Sequence, residues 1–346
     1  MNKVIIILII VIFSGEICNV FAEKSVYGNE NRFLFSSPEF LAVGEAKNAL
    51  SAEPIPANNP ASTILAEKTA FFAGYTGFYN NSFWTGNTYA TLRIDTASVI
   101  SAFVGYLSIP GIDSVWRRIE RDPITKDTIS EIFGVTQVSS SELSVNLNYA
   151  RKILDFERFD LSLGVSFNVM RRRLVEWTGY GIGLDLGVLF STNRGNHVGF
   201  QIDNVTTQYT HWSKKYHENV LPQAFLSYGF SKELNSNLWL QLFYRSPDLL
   251  GNSGVTASTL GKEAGFDEKI RSGSIRKNPE NLFVAAGYGA EILIKQTVSI
   301  RTGLTDSHKL TFGGGINLFE RMSVDFAYIH SSALDGTYGV SLRFEL

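Results

Sequence analysis

The last ten residues, Thr337–Leu346, read TYGVSLRFEL and alternate strictly between apolar side chains and others. The apolar members are Tyr338, Val340, Leu342, Phe344 and Leu346. A period of two is typical of a β-strand with one apolar and one polar face. Because the polar face carries Arg343 and Glu345, the stretch suits the closing strand of a transmembrane barrel whose apolar face meets lipid.

Fourteen stretches of the chain show this character, and an even number is expected of bacterial outer-membrane barrels. Each is near the ~9–11 residues that cross a bilayer as a tilted strand. The strands are predicted at 71–79, 85–94, 97–108, 141–151, 157–170, 177–190, 197–209, 220–231, 237–246, 281–291, 295–304, 308–318, 321–331 and 337–346. The first and third are apolar on both faces. The predicted fold is therefore all-β, a transmembrane antiparallel β-barrel of about fourteen strands.

The connections between these strands differ in length according to their order. The two long ones, 109–140 and 247–280, follow the third and ninth strands, whereas the even-numbered connections are short. Outer-membrane barrels keep long loops outside and short turns in the periplasm. We therefore expect the first strand to begin, and the last strand to end, on the periplasmic side. The long loops would offer a surface for partners.

The first 22 residues have the pattern of a secretory signal peptide. Lys3 is followed by the apolar run Val4–Phe13, and Val20-Phe21-Ala22 suits cleavage. Ten apolar residues are too few for a membrane-spanning helix, which needs about 20. The only cysteine, Cys18, lies in this segment, so the mature chain is expected to have no disulfide and no cysteine-based metal site or nucleophile. The formal net charge of −2 gives no indication of nucleic-acid binding.

Residues 23–67 show no strand pattern and are rich in small side chains between 44 and 52. They are predicted to form an N-terminal plug or hatch, and residues 68–346 the outer-membrane barrel. The segment contains Asn58, Asn59, Pro60 and Ala61. Asn side chains bond their own turn and Pro fixes φ, so a rigid corner is expected here. The corner either contributes to gating or only sets the course of the chain at the barrel mouth.

This small-residue stretch, followed by Asn-Pro-Ala and the first strand, resembles the N-terminal segment of FadL-like barrels and especially of the PorV/PorQ family. Further stretches that resemble that family occur in the same order along the chain. They are Ser144–Lys152 (SVNLNYARK), Gly183–Leu189 (GLDLGVL), Gly199–Thr206 (GFQIDNVT) with Trp212 and Leu221-Pro222, Arg301-Thr302-Gly303, and Phe312–Ile316.

The resemblance implies a fourteen-stranded barrel with an N-terminal plug in the cell outer membrane. A PorV/PorQ-type protein would support export or surface attachment of proteins, as in type IX secretion, with secreted cargo and an attachment complex as partners. A FadL-type protein would instead take up hydrophobic small molecules through its lumen. An apolar lumenal pocket would favour the second role. The alternative hypothesis is a secreted β-sandwich or propeller that has no role in a membrane.

Two groups of side chains are candidates for binding. Arg171, Arg172 and Arg173 follow the fifth predicted strand at the outer side, where they would contact lipopolysaccharide phosphates unless they are simply a solvated loop. The other group lies on polar strand faces and is predicted to form a lumenal polar network, either affecting selectivity or neutralising itself around the plug. Its members are Asp185, Asp203, Arg301, Asp325 and Arg343.

The sequence carries no Ser/His/Asp order, paired-carboxylate motif, phosphate loop or nucleotide fingerprint. No catalytic residue, cofactor or metal is therefore assigned, and the protein is not expected to be an enzyme. Both membrane hypotheses make outer-membrane lipid an expected partner. Neither predicts binding of nucleic acid.

Overall fold

The computed structural model describes residues 30–121, 128–206, 208–213, 217–252, 279–319, 321–331 and 335–346. The signal peptide expected at 1–22 lies outside these residues, as does most of the connection expected at 247–280.

The described part of the chain contains sixteen strands joined in one antiparallel sheet. They are β1 (Ala70–Phe78), β2 (Phe83–Asp95), β3 (Ser98–Arg121), β4 (Thr128–Phe156), β5 (Phe159–Leu174), β6 (Trp177–Thr192), β7 (Asn196–Asp203), β8 (Gln208–Trp212), β9 (His217–Val220), β10 (Gln223–Asn235), β11 (Leu238–Arg245), β12 (Gly287–Ile294), β13 (Val298–Leu304), β14 (Leu310–Leu318), β15 (Met322–Ile329) and β16 (Thr337–Glu345).

The sheet closes on itself because β1 pairs with both β2 and β16. β7 and β8 both pair with β6, one after the other, and so occupy a single place in the wall. Likewise, β9 pairs with β8 and β10 with β7. Sixteen strands thus fill fourteen wall positions, and the prediction of a fourteen-stranded antiparallel barrel is confirmed.

The two ends of the barrel differ. At one end, called the inner end, β1 begins opposite the end of β16, with Ala70 facing Glu345. The turns at 96–97 and 295–297 lie there and are short. The opposite end, called the outer end, carries the longer connections. This asymmetry is typical of outer-membrane barrels.

The connection expected at 109–140 is not a loop. Instead, β3 and β4 continue past the rim, pairing from Ile112 with Val138 to Arg121 with Thr128. β5 pairs with β4 only as far as Ser140, so the residues beyond form a two-stranded arm. The frequent β-branched and aromatic residues of this stretch, such as Ile112, Val115, Phe133 and Val135, favour a ribbon over irregular structure.

The outside of the barrel is apolar. The alternate residues Tyr338, Val340, Leu342 and Phe344 of β16 are 38–52% exposed, while the residues between them point inward. A continuous band of exposed Leu, Val, Ile and Phe around a closed barrel is typical of a surface that faces hydrocarbon. This arrangement contradicts a soluble sandwich or propeller. Separately, no helix among the described residues is long and apolar enough to cross a bilayer.

Residues 30–66, called the N-terminal segment, run inside the barrel. Near the outer end, the Leu34 carbonyl accepts a hydrogen bond from Thr85 Oγ1 at 3.1 Å. Near the inner end, the Ala66 carbonyl accepts one from Arg93 Nη1 at 2.7 Å. The short helices of this segment are the 3-10 helix Glu30–Phe35, the α-helix Pro38–Ala42 and the 3-10 helices Lys47–Ala49 and Pro60–Leu65; a further α-helical turn, Asn281–Val284, precedes β12.

The first and third predicted strands are apolar on both faces because their inner faces meet this segment. Phe72 of β1 and Phe103 and Leu107 of β3 are buried in one cluster with Phe35 and Phe40. The Phe35 and Phe103 rings meet edge to face at 6.1 Å, a favourable aromatic geometry. The hydrophobic core of the molecule therefore lies in the lumen.

Candidate functional site

The Asn58–Ala61 corner is held by its own side chains and by the wall. Asn58 Nδ2 donates to the carbonyls of Ser51 and Glu53 at 2.9 and 2.7 Å. Asn59 Oδ1 accepts from the Ala61 amide at 3.0 Å, capping the 3-10 helix, while Asn59 Nδ2 reaches the Val188 carbonyl of β6. Pro60 begins the helix, where its missing N–H costs nothing.

Wall glycines let this corner approach closely. A Cβ on Gly164 of β5 would lie 2.3 Å from the Ala61 nitrogen, and one on Gly187 of β6 would lie 2.0 Å from Asn59 Oδ1. Farther along, a Cβ on Gly303 of β13 would lie 2.3 Å from the Gly44 nitrogen. Backbone therefore packs against backbone at several points, and side chains there would displace the segment.

Arg32 forms the centre of a first buried charge cluster. Its guanidinium lies 2.6 Å from Asp185 Oδ2 and 3.3 Å from Asp203 Oδ2. Arg32 also donates to the Pro56 carbonyl. The Asn204 amide donates to Asp185 Oδ1 at 2.7 Å. A buried charge is tolerated only when paired and hydrogen-bonded, and here strand carboxylates fix the N-terminal segment through Arg32.

Glu39 and Lys47 join a second cluster, called the Glu39 cluster. Its three acids and three bases balance: Glu39, Glu291 and Asp325 against Lys47, Arg301 and Arg343. Lys47 Nζ lies 2.5 Å from Glu39 and 2.8 Å from Glu291. Arg301 lies 2.9 Å from Glu291 and 2.5 Å from Asp325.

These surroundings shift the pKa values of two carboxyl groups in the N-terminal segment, those of Glu39 and Glu53. Burial alone would raise the pKa of Glu39, but attraction to Lys47, Arg343 and Arg301 holds that pKa below its usual range. Burial, and then repulsion by Glu39, raise the pKa of Glu53 to about 7. Glu53 accepts hydrogen bonds from Ser37 Oγ and Tyr89 OH at 2.5 and 3.2 Å. Glu53 therefore holds its proton more readily than an ordinary glutamate, which weakens its repulsion of the Glu39 carboxylate.

The five residues expected to form one lumenal network are divided between these two clusters. Asp185 and Asp203 join Arg32, whereas Arg301, Asp325 and Arg343 join Glu39. The sequence reasoning missed Arg32, Glu39, Lys47 and Glu291. Glu291 occupies an inward position of β12 and was detectable from its period of two. The other three lie in a segment without periodicity and gave no such signal.

A cavity of about 130 Å³ opens at the outer end between the N-terminal segment and the wall. Its apolar lining consists of Phe33, Leu34, Leu41, Phe78 and Ile329. Glu45, Asp306 and Lys309 are among its polar lining residues. Two more cavities, of about 220 and 430 Å³, lie near the inner end. Small spaces therefore remain on both sides of the segment that fills the lumen.

The arginine triplet was predicted to lie in the connection after the fifth strand. It lies instead within β5, which ends at Leu174. Strand alternation separates its members. Arg172 points inward and pairs with Glu142 at 2.7 Å, whereas Arg171 and Arg173 are exposed. The predicted lipopolysaccharide contact is therefore wrong for Arg172, because neighbouring residues of a strand face opposite sides. For Arg171 and Arg173 it stays a prediction.

The described residues contain no group of three or more His, Cys, Asp and Glu side chains placed to hold a metal ion. The buried carboxylates of the two charge clusters are engaged by arginine and lysine, and Glu53 accepts from Ser37 and Tyr89. What the lumen can do chemically is to hold a packed segment through ion pairs and to accommodate small molecules at its ends.

No protein-family model matches the chain, and no curated protein matches it. Among solved structures, the chain is similar to the Pseudomonas putida toluene transporter TodX, with 9% identity, a TM-score of 0.49 and coverage of 89% of this chain and 99% of that one. It is also similar to a Pseudomonas aeruginosa FadL homologue, with 11% identity, a TM-score of 0.47 and coverage of 90% and 98%.

Fourteen wall positions, an apolar exterior and short turns at one end define a transmembrane β-barrel of the outer-membrane type. Its lumen is occupied by the chain's own N-terminal segment, which the wall holds by two charge clusters and by glycine contacts.

Proposed function

We propose that the protein is a non-catalytic outer-membrane barrel that takes up small hydrophobic molecules, with residues 23–67 as its plug and the Asn58–Ala61 corner as the fixed end of that plug. The outer-end cavity is the observation that carries this proposal. It places five apolar side chains at the outer mouth of the lumen, beside polar and charged neighbours such as Glu45, Asp306 and Lys309.

The size and lining of the cavity fit a small apolar ligand. A dry cavity of about 150 Å³ lined by Leu, Ile and Phe binds benzene. The cavity here is similar in size, about 130 Å³, and its five apolar side chains can contact such a ligand beside a polar part of the lining. Phe33, Leu34 and Leu41 belong to the N-terminal segment, so a ligand bound there touches the part of the chain that blocks the lumen. Passage then requires that segment to move.

Filling the cavity is expected to abolish uptake. Leu34 is half-buried and lines the cavity, so Leu34→Trp occupies the space that a ligand would take. In cells lacking other hydrophobic channels, the wild-type protein should raise the initial rate of radiolabelled toluene uptake, and Leu34→Trp should lower it at least fivefold. Leu92→Trp is the matched control because Leu92 is 54% exposed on the outer face of β2. Equal rates for both variants and the wild type would contradict the proposal.

The arm formed by β3 and β4 favours a second candidate, support of protein export or surface attachment in the manner of PorV/PorQ proteins. The arm extends past the rim, and Val115, Phe133 and Val135 are 63–69% exposed on it. Exposed apolar groups of this kind commonly mark contacts with another protein. Under this candidate, the plug would close the lumen while the arm receives the exported chain.

Shortening the arm separates the two candidates. Replacing residues 112–138 by Asn-Gly, which forms a tight hairpin turn, keeps the barrel wall intact. If the protein serves export, surface biotinylation of exported proteins should fall at least tenfold, while toluene uptake stays normal. Val115→Ser with Val135→Ser should give a similar loss with the arm in place. Normal display in both variants would eliminate this candidate.

A further inference from the structure

The outer face of the barrel carries a row of side chains that crosses several strands at one height. Pairing places Leu143 of β4 opposite Arg171 of β5, Arg171 opposite Tyr180 of β6, and Tyr180 opposite His211 of β8. One step nearer the outer end, Arg173 lies opposite Thr178. Tyr180 is 58% exposed, and Arg171, Arg173 and His211 are exposed as well.

The next row toward the inner end is apolar. There Val169 of β5 lies opposite Val145 of β4 and Ile182 of β6, and Ile182 lies opposite Tyr209 of β8. These rows are about 6.6 Å apart, since residues on one face of a strand alternate and each contributes ~3.3 Å. Arg171 therefore lies directly at the edge of the hydrocarbon, where lipid headgroups begin.

The arginines of this row are available to a ligand. The nearby Glu142 faces inward and is engaged by Arg172 at 2.7 Å and by Asn31 at 2.8 Å. Arg173 Nε makes a 3.4 Å contact with the Val175 carbonyl. Glu176, in the turn after β5, is the acidic residue nearest in sequence and is exposed to solvent.

We propose that Arg171, Arg173 and Tyr180 bind the phosphate of a phosphorylated glycolipid of the lipopolysaccharide type in the outer leaflet. Guanidinium groups bind phosphate through two parallel, charge-assisted hydrogen bonds. Tyrosine is enriched at membrane interfaces, where its ring lies against acyl chains and its hydroxyl can donate to a headgroup oxygen. Val169 and Ile182 below contact the acyl chains of the same lipid.

The site is independent of whether the barrel conducts small molecules, because its side chains face away from the lumen. Arg151 provides a matched control. It lies on β4 and is exposed on the same outer face, but it pairs with Ser98 near the inner end. Loss of Arg151 removes the same charge from the opposite membrane interface.

The test uses the full-length barrel in nanodiscs and measures binding of bis-phosphorylated lipid A by native mass spectrometry. Arg171→Gln with Arg173→Gln should weaken binding about 25-fold, since each arginine at a charged lipid surface contributes roughly fivefold. Arg151→Gln should bind like the wild type, and Arg171→Lys with Arg173→Lys should recover part of the loss. Heat-dependent mobility in SDS gels checks that each variant is folded.

Three results would overturn the proposal. One is binding by the double glutamine variant within twofold of the wild type. Another is equal affinity for lipid A and its dephosphorylated form, which would show that acyl chains alone are bound. The third is complete displacement of lipid by millimolar inorganic phosphate, which would identify a free-anion site and not a lipid site.

Discussion

Replacing Arg301 by methionine is expected to lower the free energy of unfolding by about 3–5 kcal/mol, the usual cost of removing one partner of a buried ion pair. Arg301 is 5% exposed and contacts both Glu291 and Asp325. Without it, the Glu39 cluster keeps three acids and two bases, in a space that little water reaches. Urea unfolding in lipid vesicles, followed by tryptophan fluorescence, measures the change.

Two further variants identify charge imbalance as the cause. Arg321→Met is the control, because Arg321 is exposed in the turn before β15 and should change stability by less than about 0.5 kcal/mol. Combining Arg301→Met with Asp325→Leu removes one acid as well and should recover part of the lost stability. If the double variant is less stable than Arg301→Met alone, the role assigned to the cluster is wrong.

Adding side chains where the wall meets the N-terminal segment is expected to open the lumen. Gly164→Ala pushes a methyl group against the backbone of Pro60 and Ala61, and Gly303→Ala pushes one against Val43 and Gly44. Overpacking costs about 1–3 kcal/mol at each position. The double variant can relieve this strain by releasing the segment. In planar bilayers, it should show frequent ion-conducting openings where the wild-type protein is nearly silent.

Gly86→Ala is the matched control for the double glycine variant. It lies on β2, and an added Cβ would meet only Trp84, at 3.6 Å, an ordinary contact distance. It should therefore conduct like the wild type. Conductance that is unchanged in the double variant, in protein shown to be folded by heat-dependent mobility, would mean that the glycines do not hold the segment in place.

Much of the fold followed from a local property, the period of two. The alternation in Thr337–Leu346 predicted the direction in which every side chain of β16 faces. The strand prediction failed at three places. The strand predicted at 281–291 begins only at Gly287, since Asn281–Val284 form an α-helical turn. The other two failures have a physical reason. Alternation cannot show where a strand leaves the membrane, so β3 and β4 were predicted too short. It also cannot show a strand interrupted within the wall, as between β7 and β8.

The binding candidates were predicted less completely. The strand pattern placed Asp185, Asp203 and Arg301 on the inner face, because successive side chains of a strand point to opposite faces of the sheet. Their partners were not predictable in this way. Arg32 lies 153 residues from Asp185, and Lys47 lies 244 residues from Glu291. Pairs so distant in sequence are set by how the N-terminal segment threads the closed barrel.

By itself, the sequence determined that this protein is a barrel with an apolar outside, because alternation is a local pattern that any extended strand must express. Tertiary structure alone decided what fills the lumen, which carboxylate meets which base, and which members of the arginine triplet face the lipid. Those features depend on close approaches, such as Gly164 to Ala61 and Gly303 to Gly44, that exist only once the sheet has closed around the segment inside it.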